Sequence, residues 1–277
     1  MKVGIIQCDG KIPNLALMKI FTWHKQRGDD VTFMDISHQK FDMLYGSKIF
    51  MGGTGYEIKS QLPTDIEEIV PDYDAFKLDH SIGFTSRGCI RNCEFCIVRE
   101  KEGFIHEVNT SWMVKQKLLL LDNNFLASPL CKEKLHTFID NNHKVCFNQG
   151  LDIRLVTKEL AELLTKVDYR DDQFKVKRLY FAWDKPEIEP SVLNGVKLLS
   201  EAGIKPQHLM FYVIVGFDTT FEQDMYRVMK LKELGCKPYV MIFNKQSCDK
   251  KLKKLQRWIN RRYYEFISWE KFGVKQK

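Results

Sequence analysis

Patterns typical of β-strands and α-helices alternate along most of this 277-residue chain, from residue 82 to residue 243. Apolar runs predict six strands, and amphipathic patterns between them predict helices. The predicted strands are residues 82–85, 117–121, 144–147, 178–182, 209–215 and 238–243, and the predicted helices are 130–141, 158–166, 191–201 and 221–234. Such alternation favours parallel strands joined by right-handed crossovers. Six units are too few to close an eight-stranded β/α barrel.

A smaller α/β unit is expected before this alternating region. Its predicted strands are residues 2–7, 31–34 and 48–50, and a helix is predicted over 14–26, ended by Gly28. We therefore divide the chain into three parts. These are a small α/β unit over 1–75, a main domain over 76–249 and a helical tail over 250–277.

Composition indicates a globular protein, because 44% of the residues are hydrophobic. The chain opens without a signal-peptide pattern and contains no apolar run of membrane-spanning length, so we expect a cytoplasmic protein. Eight cysteines without a secretion signal do not predict a disulfide framework. Five of them show no ligand spacing and are expected to be buried free thiols, with a second cluster as the alternative. These are Cys8, Cys131, Cys146, Cys236 and Cys248.

Three cysteines stand much closer together. Cys89, Cys93 and Cys96 form the string Cys-x3-Cys-x2-Cys after the first predicted strand of the main domain. Three thiolates at this spacing can bind three irons of one 4Fe–4S cluster, which leaves the fourth iron without a protein ligand. An open metal position invites a substrate or a cofactor. The alternative is a structural zinc, for which His106 is the nearest candidate fourth ligand, although no second cysteine pair is present.

The motif resembles that of the radical S-adenosylmethionine enzymes, in which an aromatic residue precedes the third cysteine as Phe95 precedes Cys96. The resemblance covers about residues 80–245 and implies a partial six-unit β/α barrel. It also implies a 4Fe–4S cluster whose fourth iron binds the amino and carboxylate groups of S-adenosylmethionine. A one-electron reductant of the flavodoxin or ferredoxin type would then support cleavage to methionine and a 5′-deoxyadenosyl radical, which abstracts hydrogen from a substrate.

The first 75 residues resemble a shortened form of the cobalamin-binding domain that is fused to many members of this family. The cobalt-ligand motif Asp-x-His-x-x-Gly is absent. We therefore expect a structural cap or a substrate-positioning unit that does not bind cobalamin. Gly52 to Gly55 predict a flexible loop more readily than a phosphate cradle, which would need a following helix.

Polar residues follow several predicted strands, at the end where β/α barrels place their active sites. The resemblance implies that Asp122 and Asn123 contact the amino group of the cofactor, and that Asp184 contacts its ribose. It further implies that the backbone at Gly216 passes the adenine. The plainer alternatives are a turn rich in Asn and Asp at 122–124 and a strand-to-loop bend at Gly216.

Strand three leads into a second polar segment. Arg154 can pair in bidentate fashion with the carboxylate of the cofactor, or it can form a surface ion pair with Asp152. Asn148, Gln149 and Asp152 are candidate ligands of the substrate.

The positive charge of the chain lies in its tail. Residues 250–277 hold ten Lys and Arg and two acidic residues, whereas the rest of the chain is nearly neutral. A helical stripe that can close the open flank of the partial barrel is predicted at Leu252, Leu255, Ile259, Tyr263 and Phe266. The basic face, with Trp258, Tyr264 and Trp269 nearby, either holds a nucleic-acid backbone or is solvated.

These patterns leave three expectations for the substrate and the function. The first is radical chemistry on a nucleobase or nucleic acid, suggested mainly by the basic tail. The second is the same chemistry on a peptide or a small metabolite. The third, from a different class, is an iron–sulfur or zinc protein without catalysis, which the polar strand ends disfavour.

Overall fold

The computed structural model describes residues 1–8, 10, 12–33, 40–48 and 65–273. The chain divides into two compact units, of which the first comprises Met1–Gly83 and Asn109–Leu118 and the second comprises Phe84–Val108 and Leu119–Lys277. In the described part of the chain, no helix combines the length and the apolar character needed to cross a membrane.

The first unit contains a parallel three-stranded sheet. Its elements are β1 (Lys2–Gln7), α1 (Leu15–Gln26), β2 (Asp30–Phe33) and β3 (Met43–Ser47), and the strand order is β2-β1-β3. The helix begins where the Asn14 side chain accepts the N–H of Leu17 at 3.1 Å, as an N-cap residue does. The unit also contains the short strand β4 (Ser81–Gly83).

Two strand predictions and one helix prediction in this unit are confirmed, at β1, β2 and α1. A third strand, β3, is present and ends at Ser47, just before the predicted run of 48–50, most of which is not described. Strand β3 pairs in parallel with β1, where Ile5 lies opposite Tyr45. Residues 49–50 and the glycine loop at 52–55 lie outside the described residues, as does Met34.

The second unit continues the alternation of strands and helices. Its elements are β5 (Ser86–Arg87), α2 (Val98–Glu102), β6 (His106–Glu107), β7 (Lys117–Leu120, which begins in the first unit), α3 (Cys131–Asp140), β8 (Lys144–Phe147), α4 (Lys158–Lys166), β9 (Asp168–Tyr169), β10 (Leu179–Ala182), α5 (Glu189–Glu201), β11 (Leu209–Val215), α6 (Phe221–Glu233), β12 (Lys237–Ile242) and α7 (Lys250–Asn260). The six strands and four helices predicted for the main domain are all present, within a few residues at their ends.

The strands of the second unit lie in two groups. Strands β7, β8 and β9 are adjacent in that order, and β10, β11 and β12 form a parallel sheet. The segment after β8 links the groups, because Leu151 and Phe181 form a parallel bridge in which the Leu151 N–H donates to the Tyr180 carbonyl at 2.7 Å. The protein is therefore a mixed α/β protein with parallel sheets, as the alternation predicts.

The tail belongs to the second unit and covers the outer edge of β12. The side-chain amide of Asn260 accepts the Val240 N–H at 2.8 Å and donates to the Val240 carbonyl at 3.0 Å, while Gln256 donates to the same carbonyl at 3.1 Å. An exposed sheet edge is a template for aggregation, and these side chains occupy it. Helix α7 therefore covers this edge of the sheet, while closure of the flank of a partial barrel stays a prediction.

The predicted apolar stripe of the tail is correct only as far as Ile259. Helix α7 ends at Asn260, and Arg262 has the left-handed φ of +59°, so the helical spacing does not continue. As a result, Phe266 is 83% exposed, whereas Trp258 and Tyr264 are buried. The idea that these two rings flank a nucleic-acid surface is therefore wrong, because Trp258 packs inside and donates its indole N–H to the Ile267 carbonyl at 2.8 Å.

Candidate functional site

The cysteine motif lies in the loop between β5 and α2. Cys89 and Cys93 are partly buried, Cys96 is exposed, and all three are free thiols. The Cys96 N–H donates to the Cys93 carbonyl at 2.9 Å, which closes a tight turn between the second and third cysteines. This turn allows two thiols so close in sequence to share one side of the loop.

Two N–H groups approach the sulfur of Cys89. The backbone nitrogen of Arg91 lies 3.3 Å from its Sγ atom, and the side-chain Nδ2 of Asn124 lies 3.5 Å from it. Donors of this kind stabilise a thiolate more than a thiol, because the negative charge resides on the sulfur. The two donors come from different segments of the chain, the cysteine loop itself and the end of β7.

Cys93 is the point at which several predicted site residues come together. Burial raises the pKa of the Cys93 thiol, the positive charge of Arg154 opposes this, and the neighbouring Cys96, Cys89 and Asp184 raise the pKa further. Arg154 and Asp184 follow different strands of the second unit. The structure therefore brings both charges close enough to act on Cys93.

Within the described residues, no three His, Cys, Asp or Glu side chains are arranged to hold a single metal ion. Cysteines that ligate a 4Fe–4S cluster bind different irons, so their sulfurs need not converge on one point. His106, the candidate fourth ligand for zinc, lies in β6, and its Nδ1 is 3.0 Å from the Phe104 carbonyl oxygen.

Asp122 anchors the start of the cysteine loop. One carboxylate oxygen accepts the Thr85 N–H at 2.8 Å. The other accepts the Thr85 hydroxyl at 2.7 Å, the Ser86 N–H at 2.6 Å and the Ser86 hydroxyl at 2.7 Å. Burial raises the pKa of Asp122, against the opposing effect of these donors. Its contacts are thus to the protein itself, while the predicted contact with a cofactor amino group stays a prediction.

Asn123 holds the next part of the same loop. Its side-chain oxygen accepts the N–H of Gly88 at 3.0 Å. Gly88 has a φ of +80°, and a Cβ at this position would collide with the Phe104 carbonyl oxygen, so only glycine fits here. The segment 122–124 therefore works as a clamp on the residues that precede Cys89, a role that its turn-like composition did not reveal.

Asn124 completes this clamp and leaves one atom unsatisfied. The residue is buried, its Nδ2 points to Cys89, and its Oδ1 has no hydrogen-bond partner among the described residues. A buried acceptor without a partner costs free energy unless water or a ligand satisfies it. The cysteine loop thus lies beside a buried acceptor that an N–H or O–H donor could satisfy.

The ion pair between Asp152 and Arg154, one of the two arrangements expected for these residues, is present. Its carboxylate is buried rather than exposed on the surface. Arg154 donates through Nε at 2.6 Å and Nη2 at 3.0 Å, and Arg91 of the cysteine loop donates to the same carboxylate at 2.9 Å. The Asp152 side chain is only 6% exposed. Burial raises its pKa, but the hydrogen bonds and charges of Arg154 and Arg91 outweigh this effect and lower it overall.

Asp184 and Gly216 lie at the ends of β10 and β11. The Asp184 carboxylate accepts the Ile214 N–H at 3.1 Å, and burial raises its pKa. Gly216 has a φ of +71°, and a Cβ there would lie 2.7 Å from the Leu252 side chain of α7. The glycine is therefore required by a bend and a close approach within the protein, and its contact with adenine stays a prediction.

A buried ion pair behind these strand ends was not predicted. Asp224 and Arg227 of α6 are 2.5 Å apart and almost fully buried. Arg227 donates to the carbonyls of Trp183 at 2.6 Å and Ile214 at 2.9 Å, and Asp224 accepts the Gly216 N–H at 3.1 Å. The pair fixes the backbone on either side of Asp184 and Gly216. In the sequence, two opposite charges three residues apart on a charged helix are typical of an exposed ion pair, so burial of this pair was not expected.

The remaining candidates have less definite surroundings. The Phe95 ring packs edge-on against Phe217 with centroids 5.4 Å apart. Asn148 is partly buried, and its N–H continues the sheet by donating to the Leu120 carbonyl at 3.2 Å, while Gln149 is exposed. Their role as substrate ligands stays a prediction.

The isolated cysteines divide into two groups. Cys131, Cys146 and Cys236 are buried, as expected, and burial raises the pKa of Cys236 to about 12. Cys8 and Cys248 are partly exposed, so the expectation of burial is wrong for them. Each lies at or beyond the end of a strand or helix, where packing is incomplete.

No protein-family model matches the chain, and no curated protein matches it either. The chemistry of the cysteine loop and the resemblance of its motif are therefore the grounds for a functional proposal.

Proposed function

We propose that the protein is a radical S-adenosylmethionine enzyme. Cys89, Cys93 and Cys96 would hold a 4Fe–4S cluster, and S-adenosylmethionine would bind at its fourth iron. When bound, these groups supply the reductive cleavage and hydrogen abstraction that the resemblance implies. The six predicted strands of residues 80–245, all present, are proposed to form the partial barrel of this family.

The pair of N–H donors on Cys89 is the observation that carries the proposal. In iron–sulfur proteins, hydrogen bonds to the sulfurs are one of the means by which the protein sets the reduction potential. Here the Arg91 backbone and the Asn124 side chain supply them. Asn124 belongs to the clamp of residues 122–124, which also holds Thr85, Ser86 and Gly88 on the segment that leads into Cys89.

Charged groups near Cys93 would orient the cofactor. Arg154 is held by Asp152 through Nε and Nη2, so the Nη1 side of its guanidinium would be the part that donates to a carboxylate. The unsatisfied Oδ1 of Asn124 would accept from the amino group, and Asp184 would accept from a ribose hydroxyl. Because Asp122 is occupied with Thr85 and Ser86, its part in this proposal is to position the loop.

The first test is anaerobic reconstitution with iron and sulfide, followed by dithionite and S-adenosylmethionine. We expect cluster absorption, an electron paramagnetic resonance signal of a reduced 4Fe–4S cluster, and 5′-deoxyadenosine in chromatography. Cys93→Ala should abolish all three, whereas Cys248→Ala, outside the motif, should keep them. Zinc in place of iron, or a cluster that survives Cys93→Ala, would contradict the proposal and favour a non-catalytic metal protein.

Nucleic-acid binding through residues 250–277 is a second proposal. Three basic side chains of the tail lie over rings of the protein itself: Lys251 over Phe221 at 4.0 Å, Lys254 over Trp269 at 4.3 Å and Arg257 over Phe272 at 5.1 Å. Other basic residues of the tail, Lys253, Arg261 and Arg262, are exposed.

Because α7 is part of the core, the tail is best tested without deleting it. Replacing Lys253, Arg261 and Arg262 by Gln should reduce the salt dependence of RNA binding if the tail contacts phosphates. If the dependence of RNA affinity on salt concentration is unchanged, these tail residues do not contact phosphates.

A further inference from the structure

One face of the sheet β10-β11-β12 is lined by aromatic and thioether side chains. On β11, Phe211, Val213 and Val215 are fully buried, and α6 packs against this strand. Side chains alternate between the faces of a strand, so Met210, Tyr212 and Ile214 lie on the opposite face. The parallel register places Tyr180 beside Met210, Tyr239 beside Tyr212 and Met241 beside Ile214 on that same face.

Three tyrosines form a row across this face. The rings of Tyr180 and Tyr212 are stacked, with centroids 5.7 Å apart and planes inclined by 7°. Tyr239 meets Tyr212 edge-on at the same centroid distance. Tyr180 is buried, whereas Tyr239 is exposed at the end of the row. The row therefore holds Tyr239 in a fixed orientation while leaving its ring open to a ligand.

Along β12, the exposed members of this face form an aromatic stripe, which we define as Tyr239, Met241 and Phe243. They are 39%, 47% and 47% exposed. Phe243 stays in register after the strand ends, because its N–H donates to the Val215 carbonyl at 3.2 Å. Exposed apolar side chains in a contiguous group usually mark a binding site.

The aromatic stripe continues to the cysteine loop. Phe243 packs against Phe217 with centroids 4.6 Å apart, and Phe217 packs against Phe95, which directly precedes Cys96. A ligand lying on the stripe would therefore reach the edge of the proposed cluster site. This continuity makes the stripe a place for the molecule that reacts, rather than an unrelated surface patch.

We infer that the aromatic stripe binds the planar base of a nucleoside, either free or within a single-stranded nucleic acid, as the substrate of the proposed enzyme. The inference rests on the proposed function and specifies its substrate class. Flat rings and a polarisable thioether suit a π-face better than an aliphatic chain. Stacking on aromatic side chains accepts every base, because each base has a π-face.

The test measures binding without turnover. We would titrate the reconstituted protein with 2-aminopurine riboside, whose fluorescence is quenched on stacking, and with a short single-stranded RNA containing 2-aminopurine. Both titrations would be made with saturating S-adenosylhomocysteine to occupy the proposed cofactor site. Quenching by the free nucleoside identifies a nucleoside substrate, and quenching restricted to the RNA identifies a nucleic acid. Quenching in neither overturns the inference.

Variants connect the binding to the aromatic stripe. Tyr239→Ala should weaken binding about tenfold, whereas Tyr239→Phe, which keeps the ring, should stay within about twofold. Phe266→Ala removes an exposed ring elsewhere and should have no effect. Equal affinities in all three variants, or base binding that occurs only when S-adenosylhomocysteine is left out, would overturn the inference.

Cys93→Ala separates the inference from the proposed function. This variant should lose the cluster and 5′-deoxyadenosine formation but keep base binding, because Cys93 is not part of the stripe. Absence of 5′-deoxyadenosine in the unmodified protein counts against the proposed chemistry alone. Absence of base binding in a protein that forms 5′-deoxyadenosine counts against the stripe alone.

Discussion

The side-chain amide nitrogen of Asn124 lies 3.5 Å from the sulfur of Cys89, although 35 residues separate them in sequence. Asn124 follows β7, and Cys89 follows β5, so two strand ends meet at this contact. The contact links a residue of the Asp-Asn-Asn segment directly to the first cysteine of the motif. Its chemical consequence is that the partially positive N–H group of Asn124 lies beside the sulfur that the proposed cluster would use.

Replacing Asn124 by Ala should lower the reduction potential of the proposed cluster. A reduced cluster carries more negative charge on its sulfurs, so the N–H donor stabilises the reduced state more than the oxidised state. Losing it should shift the potential to more negative values, on the order of tens of millivolts. A redox titration followed by electron paramagnetic resonance measures this shift. Asn92→Ala, an exposed residue of the same loop, is the control, and equal potentials in both variants would contradict the expectation.

Asp122→Ala should destabilise the protein and reduce the iron content together. The change leaves two N–H groups and two hydroxyls of Thr85 and Ser86 without their buried acceptor. Each unsatisfied group of this kind costs about 1–3 kcal/mol of stability, and relaxation of the structure recovers part of that cost. We therefore expect the free energy of unfolding to fall by about 3 kcal/mol. Urea unfolding and iron analysis check it. Asp140→Ala, on the exposed side of α3, should change neither quantity, and a stable Asp122→Ala protein with full iron content would refute the anchoring role.

Local signals made most of the secondary structure predictable. Helix α4 and strand β8 occupy the predicted residues because each carries its own periodicity and end signals, such as the Thr157 side chain that caps α4. The same approach failed after Asn260, where a left-handed Arg262 interrupts a helical stripe that the sequence continues to Phe266. Arg262 is not a glycine, so nothing local marks the break.

The candidate site was predictable in its composition but not in its contacts. The cysteine spacing and the polar strand ends are visible in sequence, because they depend on residue type and on the end of a strand. The bonds between Asp122 and Thr85 span 37 residues, and the pairing of Arg91 with Asp152 spans 61. Such partners are chosen by tertiary packing, which brings strand ends together in ways that no local pattern encodes.

The contribution of Asp152 to stability should depend on pH. Arg154 and Arg91 outweigh the effect of burial and hold its pKa below the value of about 3.9 expected in the unfolded chain. A lowered pKa stabilises the fold above the unfolded value, and this stabilisation is lost as the pH falls through the folded-state pKa. Asp152→Asn should therefore reduce the free energy of unfolding at pH 7, and the difference from the unmodified protein should narrow below about pH 4.

Urea unfolding at both pH values measures this dependence. Glu233→Gln, which alters an exposed pair with Lys230, should show a small effect at either pH. If Asp152→Asn lowers the free energy of unfolding by the same amount at pH 7 and below about pH 4, the ion pair is not the source of that loss.

Asn260→Ala should uncover the edge of β12. The Val240 N–H and carbonyl would lose the side chain that satisfies both, although Gln256 keeps one bond to the carbonyl. We expect a loss of about 1–2 kcal/mol in urea unfolding and faster aggregation, since the edge becomes available for pairing. Lys253→Ala, an exposed position of the same helix, controls for general effects on α7. Equal stability of the two variants would show that the edge is covered by other means.

The buried pair of Asp224 and Arg227 should matter for both stability and the site. Asp224→Asn keeps the shape of the side chain but leaves the charge of Arg227 uncompensated in the interior, which costs about 3–5 kcal/mol when a buried pair is broken. Because Arg227 also holds the Trp183 and Ile214 carbonyls, the backbone next to Asp184 should loosen. Urea unfolding measures the first effect, and hydrogen exchange at the ends of β10 and β11 measures the second. Suppose instead that Asp224→Asn lowers the free energy of unfolding as little as Glu233→Gln does, and that hydrogen exchange at the ends of β10 and β11 is unchanged. The pair on α6 would then not position these strand ends.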